Sequence, residues 1–117
     1  MDHQEIQTLA QEFRASQKVL IALGDENRQH LILEMMQMGS CAGVRVGEIT
    51  ARTHLSRPAV SHHLQILKDA GIVKMRREGT KNYCYFDAEP ESLERLLQML
   101  RHVEEVMAEL PDRGEDE

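Results

Sequence analysis

The chain is short of several residue types, and each shortage excludes something. Its 117 residues include no tryptophan, two tyrosines, two phenylalanines and two cysteines. Cys41 and Cys84 stand without a CxxC or CxxxH neighbour, which excludes a zinc ribbon and a disulfide framework. No apolar run approaches the roughly 18 residues of a membrane-spanning helix. The opening MDHQEIQ has neither the basic nor the apolar region of a secretory signal. The chain therefore reads as cytoplasmic, with no membrane partner. A Gly-rich phosphate loop, a nucleophile elbow and an HExxH helix are missing too, so the chain does not read as an enzyme. Ser61 and His62 are adjacent on one helix and lack the oriented carboxylate that a triad requires.

Positive charge is also scarce overall, with 14 Lys and Arg against 20 Asp and Glu and a net charge of −6. Its distribution reverses the first impression that nucleic acid is excluded. From Arg52 to Lys81 there are seven basic residues, Arg52, Arg57, Lys68, Lys74, Arg76, Arg77 and Lys81, against Asp69 and Glu78. That local +5 leaves −11 on the rest of the chain. Phosphate contact follows local charge, so this is a basic patch on an acidic body. Hydrophobic residues at 41% and charged residues at 29% suit an ordinary globular chain. One domain is expected over 1–111, followed by a frayed acidic tail, 112–117.

Periodicity supplies the elements. Ile6, Leu9, Phe13, Ser16, Leu20 and Leu23 repeat every three or four residues, which predicts an amphipathic helix over about 4–23. Asp25 is placed to cap a second helix carrying Leu31, Ile32, Met35 and Met36 and ending at Gly39. SCAGV reads as a loop. A short helix from Val46 to Thr53 and a turn at His54-Leu55 follow. A fourth helix, capped by Ser56 with Pro58 in its first turn, then runs to Ala70 and Gly71. Two helices joined by so short a turn, here about 46–70, form a helix-turn-helix. The β-rich runs 72–77 and 82–86 flank Glu78-Gly79-Thr80-Lys81, a hairpin with Gly79 at positive φ, so 72–87 is a wing. Pro90 opens a last helix over about 90–110, in which Leu93, Leu96, Leu100, Val103, Met107 and Leu110 repeat the first stripe. The expected fold is mainly α with a small β-hairpin wing, in the order α-α-α-α-β-β-α.

The adjacent pair His62-His63 invites a metal reading. Neighbours on a helix point about 100° apart and do not share one ion. On that helix Ala59, Val60, Leu64, Ile66, Leu67 and Ala70 form one apolar arc with His63 near its middle. His63 is thus a packed imidazole with a satisfied ring nitrogen. Ser56, Arg57, Pro58, Ser61, His62, Gln65 and Lys68 lie at the start of the helix or on its other side. Arg suits guanine, Gln suits adenine, and Ser and His suit several acceptors, so this face can read a major groove. Arg76, Arg77 and Lys81 on the wing are placed to meet phosphates or an adjacent minor groove.

These residues carry a resemblance. Ser56 with Val60-Ser61-His62-His63-Leu64, then Leu67-Lys68-Asp69-Ala70-Gly71-Ile72-Val73, then Arg76-Arg77-Glu78-Gly79 and Tyr83, resemble the core of the ArsR/SmtB-type winged-helix repressors. A weaker similarity at Leu23-Gly24-Asp25-Glu26-Asn27-Arg28 extends it to roughly Leu23–Phe86. The resemblance implies a homodimer joined through the first and last helices. It also implies a roughly palindromic double-stranded DNA operator and repression relieved by an effector.

The effector is not legible. The helix where members of that family carry a C-x-C thiolate pair reads Val44-Arg45-Val46-Gly47-Glu48-Ile49 here, without cysteine. In the last helix His102-x-x-Glu105 is a weak metal candidate with too few histidines. Cys41 and Cys84 are weak redox candidates without an evident depressing neighbour. No metal or cofactor is expected. A reading from another class is a winged-helix module that binds a protein without specific DNA binding, and the local +5 weighs against it.

Overall fold

The computed structural model describes residues 3–39 and 43–111. Six helices and three short strands follow in the order α1 (His3–Ala15), α2 (Gln17–Leu23), α3 (Glu26–Met38), β1 (Val44–Arg45), α4 (Val46–Ala51), α5 (Arg57–Asp69), β2 (Val73–Glu78), β3 (Lys81–Phe86) and α6 (Glu91–Glu109). The mainly helical winged architecture is as expected, with two corrections. The helix expected over 4–23 is interrupted at Ser16, and a strand precedes α4.

The interruption is one residue wide. The Ser16 N–H still donates to Glu12 (3.1 Å) and its carbonyl accepts from Leu20 (2.9 Å), so the hydrogen-bonded ladder nearly continues. Ser16 is 1% exposed and its hydroxyl finds no partner among the described residues. A polar residue at this place in the apolar stripe therefore marks the joint between α1 and α2. Strand β1 is only two residues long, too short for any alternating pattern, and exists because Val44 and Arg45 pair with Cys84 and Tyr83 of β3. The antiparallel sheet has the order β1-β3-β2.

Caps set most boundaries. The Asp25 carboxylate accepts from the Arg28 N–H at 3.1 Å and starts α3, and Gly39 ends it. Ser56 Oγ accepts from the Ala59 N–H at 3.2 Å and starts α5, with Pro58 in the first turn. Helix α5 closes in a paired arrangement: the Ile72 N–H donates to the Leu67 carbonyl (3.0 Å) and the Gly71 N–H to that of Lys68 (2.9 Å). This closure requires the left-handed φ of +78° at Gly71. In the wing, Glu78 pairs with Lys81 across the two-residue turn Gly79-Thr80, and Gly79 supplies the positive φ of +61°.

Val19, Ala22, Leu31, Met35, Val46, Ile49, Val60, Leu64, Leu67, Ile72, Val73 and Cys84 form the core under the helix-turn-helix and wing, and Leu96 and Met99 join it from α6. Met36 of α3 is 60% exposed. Helix α1 packs chiefly on α6, with Leu9 reaching the core. The molecule is long, 61 × 28 × 22 Å, with a Cα radius of gyration of 18.4 Å, against about 13 Å for a compact chain of this size. No helix among the described residues is long and apolar enough to cross a membrane.

Candidate nucleic-acid interface

The turn between α4 and α5 is tied by Thr53, whose hydroxyl donates to the Thr50 carbonyl and accepts the Leu55 N–H, both at 3.1 Å. Ile49 of α4 and Val60 and Leu64 of α5 are fully buried beneath it. Burying these side chains sets the angle at which the opposite side of α5 faces outward. Arg57, Pro58, Ser61, His62, Gln65 and Lys68 are all exposed there, with Ser56 at the cap, and His63 is partly buried on the inner side. The two histidines thus separate as the helical geometry required.

Several of these side chains already have partners. Gln65 Nε2 donates to Asp69 Oδ1 at 2.9 Å. The Arg57 guanidinium lies back over α4, 3.7 Å from where a Cβ on Gly47 would stand. In the wing, strand alternation sends Arg76 and Arg77 to opposite faces. Arg76 pairs with Glu78 at 3.0 Å and lies 4.9 Å from the Tyr83 ring centroid, with Tyr85 at 5.9 Å. Arg77 donates to the Gly79 carbonyl at 3.0 Å and stays exposed, as does Lys81. Arg52 pairs with Glu34 (3.6 Å) and Lys74 with Asp87 (3.8 Å). Arg57, Lys68, Arg77 and Lys81 make no ion pair among the described residues, so they are the basic groups of the patch whose charge is uncompensated at close range.

The weak sensing candidates fare differently. Cys84 is fully buried on β3, and burial pushes its thiol up to about 12. A redox sensor needs an accessible, readily ionised thiol, so this environment removes Cys84 from that role. Cys41 lies outside the described residues. Among the described residues His102 stands in no cluster of three metal-ligating side chains. Its Nδ1 instead meets Glu12 Oε1 of α1 at 2.5 Å. That hydrogen bond, with further attraction from the Glu12, Glu105 and Glu5 charges, raises the His102 pKa against a smaller opposing effect of burial.

Arg28 was not singled out from the sequence for any role at the site. It is only 7% exposed. Its Nε donates to the Ala22 carbonyl (2.8 Å), its Nη2 to that of Ile21 (3.0 Å), and its Nη1 meets His63 Nδ1 (3.1 Å). The available signal was spacing, because Arg28 stands on the same helical stripe as the buried Leu31 and Met35. A charge at such a position needs partners.

Residues 28–75 match the family model described as "Bacterial regulatory protein, arsR family". An uncharacterized HTH-type transcriptional regulator of Methanocaldococcus jannaschii is 36% identical over 75 residues, which cover 64% of this chain and 81% of that protein. The transcriptional repressor SdpR of Bacillus subtilis is 34% identical over 61 residues, covering 52% of this chain and 63% of its own. A crystal structure described as an ArsR family transcriptional regulator superposes with a TM-score of 0.69 at 18% identity, covering 84% of this chain and 95% of the other. That likeness is one of fold.

Proposed function

The chain belongs to the arsR family of bacterial regulatory proteins, a family of DNA-binding transcriptional regulators and not of enzymes, and from that premise we propose that it is a homodimeric, sequence-specific repressor. In this reading α5 enters the major groove with Arg57, Ser61, His62 and Gln65 toward the bases, and Ser56, Pro58 and Lys68 flank the backbone. Arg77 and Lys81 of the wing take phosphates, and Arg76 is the secondary contact because Glu78 and Tyr83 already hold it. The observation that carries the proposal is the exposed polar side of α5 continued by the uncompensated cations Arg57, Lys68, Arg77 and Lys81.

The dimer rests on a second feature. Ile6, Phe13, Leu20 and Ile21 of α1 and α2, and Leu97, Leu100, Met107 and Leu110 of α6 and its C-cap, are each more than a third exposed. Apolar side chains in such number on an elongated pair of helices are costly in water and suited to a second copy of the same surface. A two-fold dimer then presents two α5 helices to successive major grooves about 34 Å apart.

The test is selection of duplexes from a random-sequence library, followed by titration across salt concentrations. Lys68, Arg77 and Lys81 on the backbone in each protomer predict a log–log slope of roughly −5 for a dimer. Weak binding that ignores sequence would sink the reading and favour a module that binds protein.

A further inference from the structure

Arg28 joins three parts of the molecule. Its own helix is α3, its Nε and Nη2 donate to the Ala22 and Ile21 carbonyls near the end of α2, and its Nη1 reaches His63 on α5. Arginine only donates hydrogen bonds and stays charged throughout the accessible pH range. His63 Nδ1 must therefore be the acceptor, which makes the ring neutral with its proton on Nε2. A second proton on the ring would set N–H against N–H and cation against cation across the 3.1 Å contact.

We propose that Arg28 and His63 form a proton-sensitive latch that holds α5 in its DNA-reading orientation, so that protonation of His63 unlatches the helix and weakens specific DNA binding. The proposal rests on the DNA-binding reading given above. Arg28 is a positioning residue that touches no base. Its effect passes through His63, one residue from the exposed Ser61-His62 pair, to the outer side of the same helix.

The charges around His63 allow this response. Asp25, the N-cap of α3, lies 4.0 Å from Arg28 Nη2 and tempers the guanidinium charge. His62 on the same helix has its ring centroid 6.0 Å away. Helices α2, α3 and α4 and strand β2 all pack on α5. Of their other charged groups, Lys18, Glu26 and Glu48 are exposed, and His30 and Arg52 share Glu34. Lys74 pairs with Asp87, Arg76 with Glu78, and Arg77 donates to Gly79.

The experiment uses a His62→Gln background, which removes the exposed imidazole, and compares binding at about pH 7.5 and about pH 5.5 of a duplex selected by that His62→Gln protein itself. Affinity is expected to fall about tenfold on acidification, the loss of one hydrogen bond to a charged group. Adding His63→Asn, whose Oδ1 stands where Nδ1 stood and does not titrate, should keep the neutral-pH affinity and abolish the acid response. An acid response that survives in His63→Asn overturns the latch. Imidazole nitrogen NMR of the wild-type protein without DNA supplies a second arm. A neutral His63 carrying its proton on Nε2 supports the latch, and a proton on Nδ1 at neutral pH overturns it. If the wild type selects no duplex at neutral pH, the DNA-binding reading fails and the latch loses its role in it, while the NMR still reports on the Arg28–His63 bond.

Discussion

Helices α5 and α6 share an amphipathic plan but expose different chemistry. Helix α5 buries Val60, Leu64 and Leu67 and turns arginine, serine, histidine, glutamine and lysine outward. Helix α6 buries Leu96, Met99 and Val106, yet leaves Leu97, Leu100 and Met107 46–64% exposed. An amphipathic pattern reports only that one side of a helix is covered by its own protomer. The residues on the other side report what else the helix is built to meet. For α5 the outward chemistry suits a polar polyanion, and for α6 it suits another apolar surface. The two regions also differ in charge, with the surplus of cations around α5 and the wing and the surplus of carboxylates elsewhere.

The comparison breaks most readily at α6. Leu100→Glu places a charge in the proposed dimer surface and is expected to yield monomers by analytical ultracentrifugation. Operator affinity should then fall by more than about 100-fold, since the second half-site no longer binds as part of the same particle. A variant that stays dimeric and binds normally would reassign the apolar side of α6.

On α5 the expected effect is smaller and confined to sequence recognition. Arg57→Ala and Ser61→Ala should each weaken binding to the selected duplex by about 10- to 100-fold, with little change on a random duplex. Unchanged operator affinity in both would remove α5 as the reader. The wing should act without regard to sequence. Arg77→Ala or Lys81→Ala is expected to lower the salt slope of a dimer by about 2, one contact from each protomer. Arg76→Ala should lower it less, because Glu78 and Tyr83 already engage that guanidinium.

The smallest effect belongs to the contact between α1 and α6. The folded-state pKa of His102 is raised, chiefly by its hydrogen bond to Glu12. Its stabilising contribution is therefore fully present below the ordinary histidine value and is lost as pH rises through the raised value. The wild type should melt above Glu12→Gln in mildly acidic buffer, and the gap should close as pH rises. A gap that widens with pH would show that the contact does not depend on a protonated His102.

Much of this organisation was legible because its causes are local. Asp25 and Ser56 announced helix starts through capping, which acts across three residues. Gly71 and Gly79 announced a helix end and a hairpin through backbone freedom. The split between His62 and His63 followed from helical geometry alone. The misses share the opposite property. Strand β1 is created by a partner strand some forty residues later in the chain. Arg76 and Arg77 read as one basic unit, yet hairpin register sends them to opposite faces and ties the first to Glu78 and Tyr83. Ser16 looked like one more position of a continuous stripe, while packing made it a joint.

By itself the sequence determined which segments are helical, where most of them begin and end, and which side of α5 is polar, because capping, periodicity and turn chemistry operate over a few neighbouring residues. Only the tertiary structure decided which cations remain uncompensated, that the Cys84 thiol is sealed and pushed up to about 12, and that Arg28 reaches His63. Each of those outcomes depends on distance in space between groups far apart along the chain. Residues 28 and 63 are separated by 35 positions, and what brings them within hydrogen-bonding distance is the packing of α2, α3 and α5 around one core.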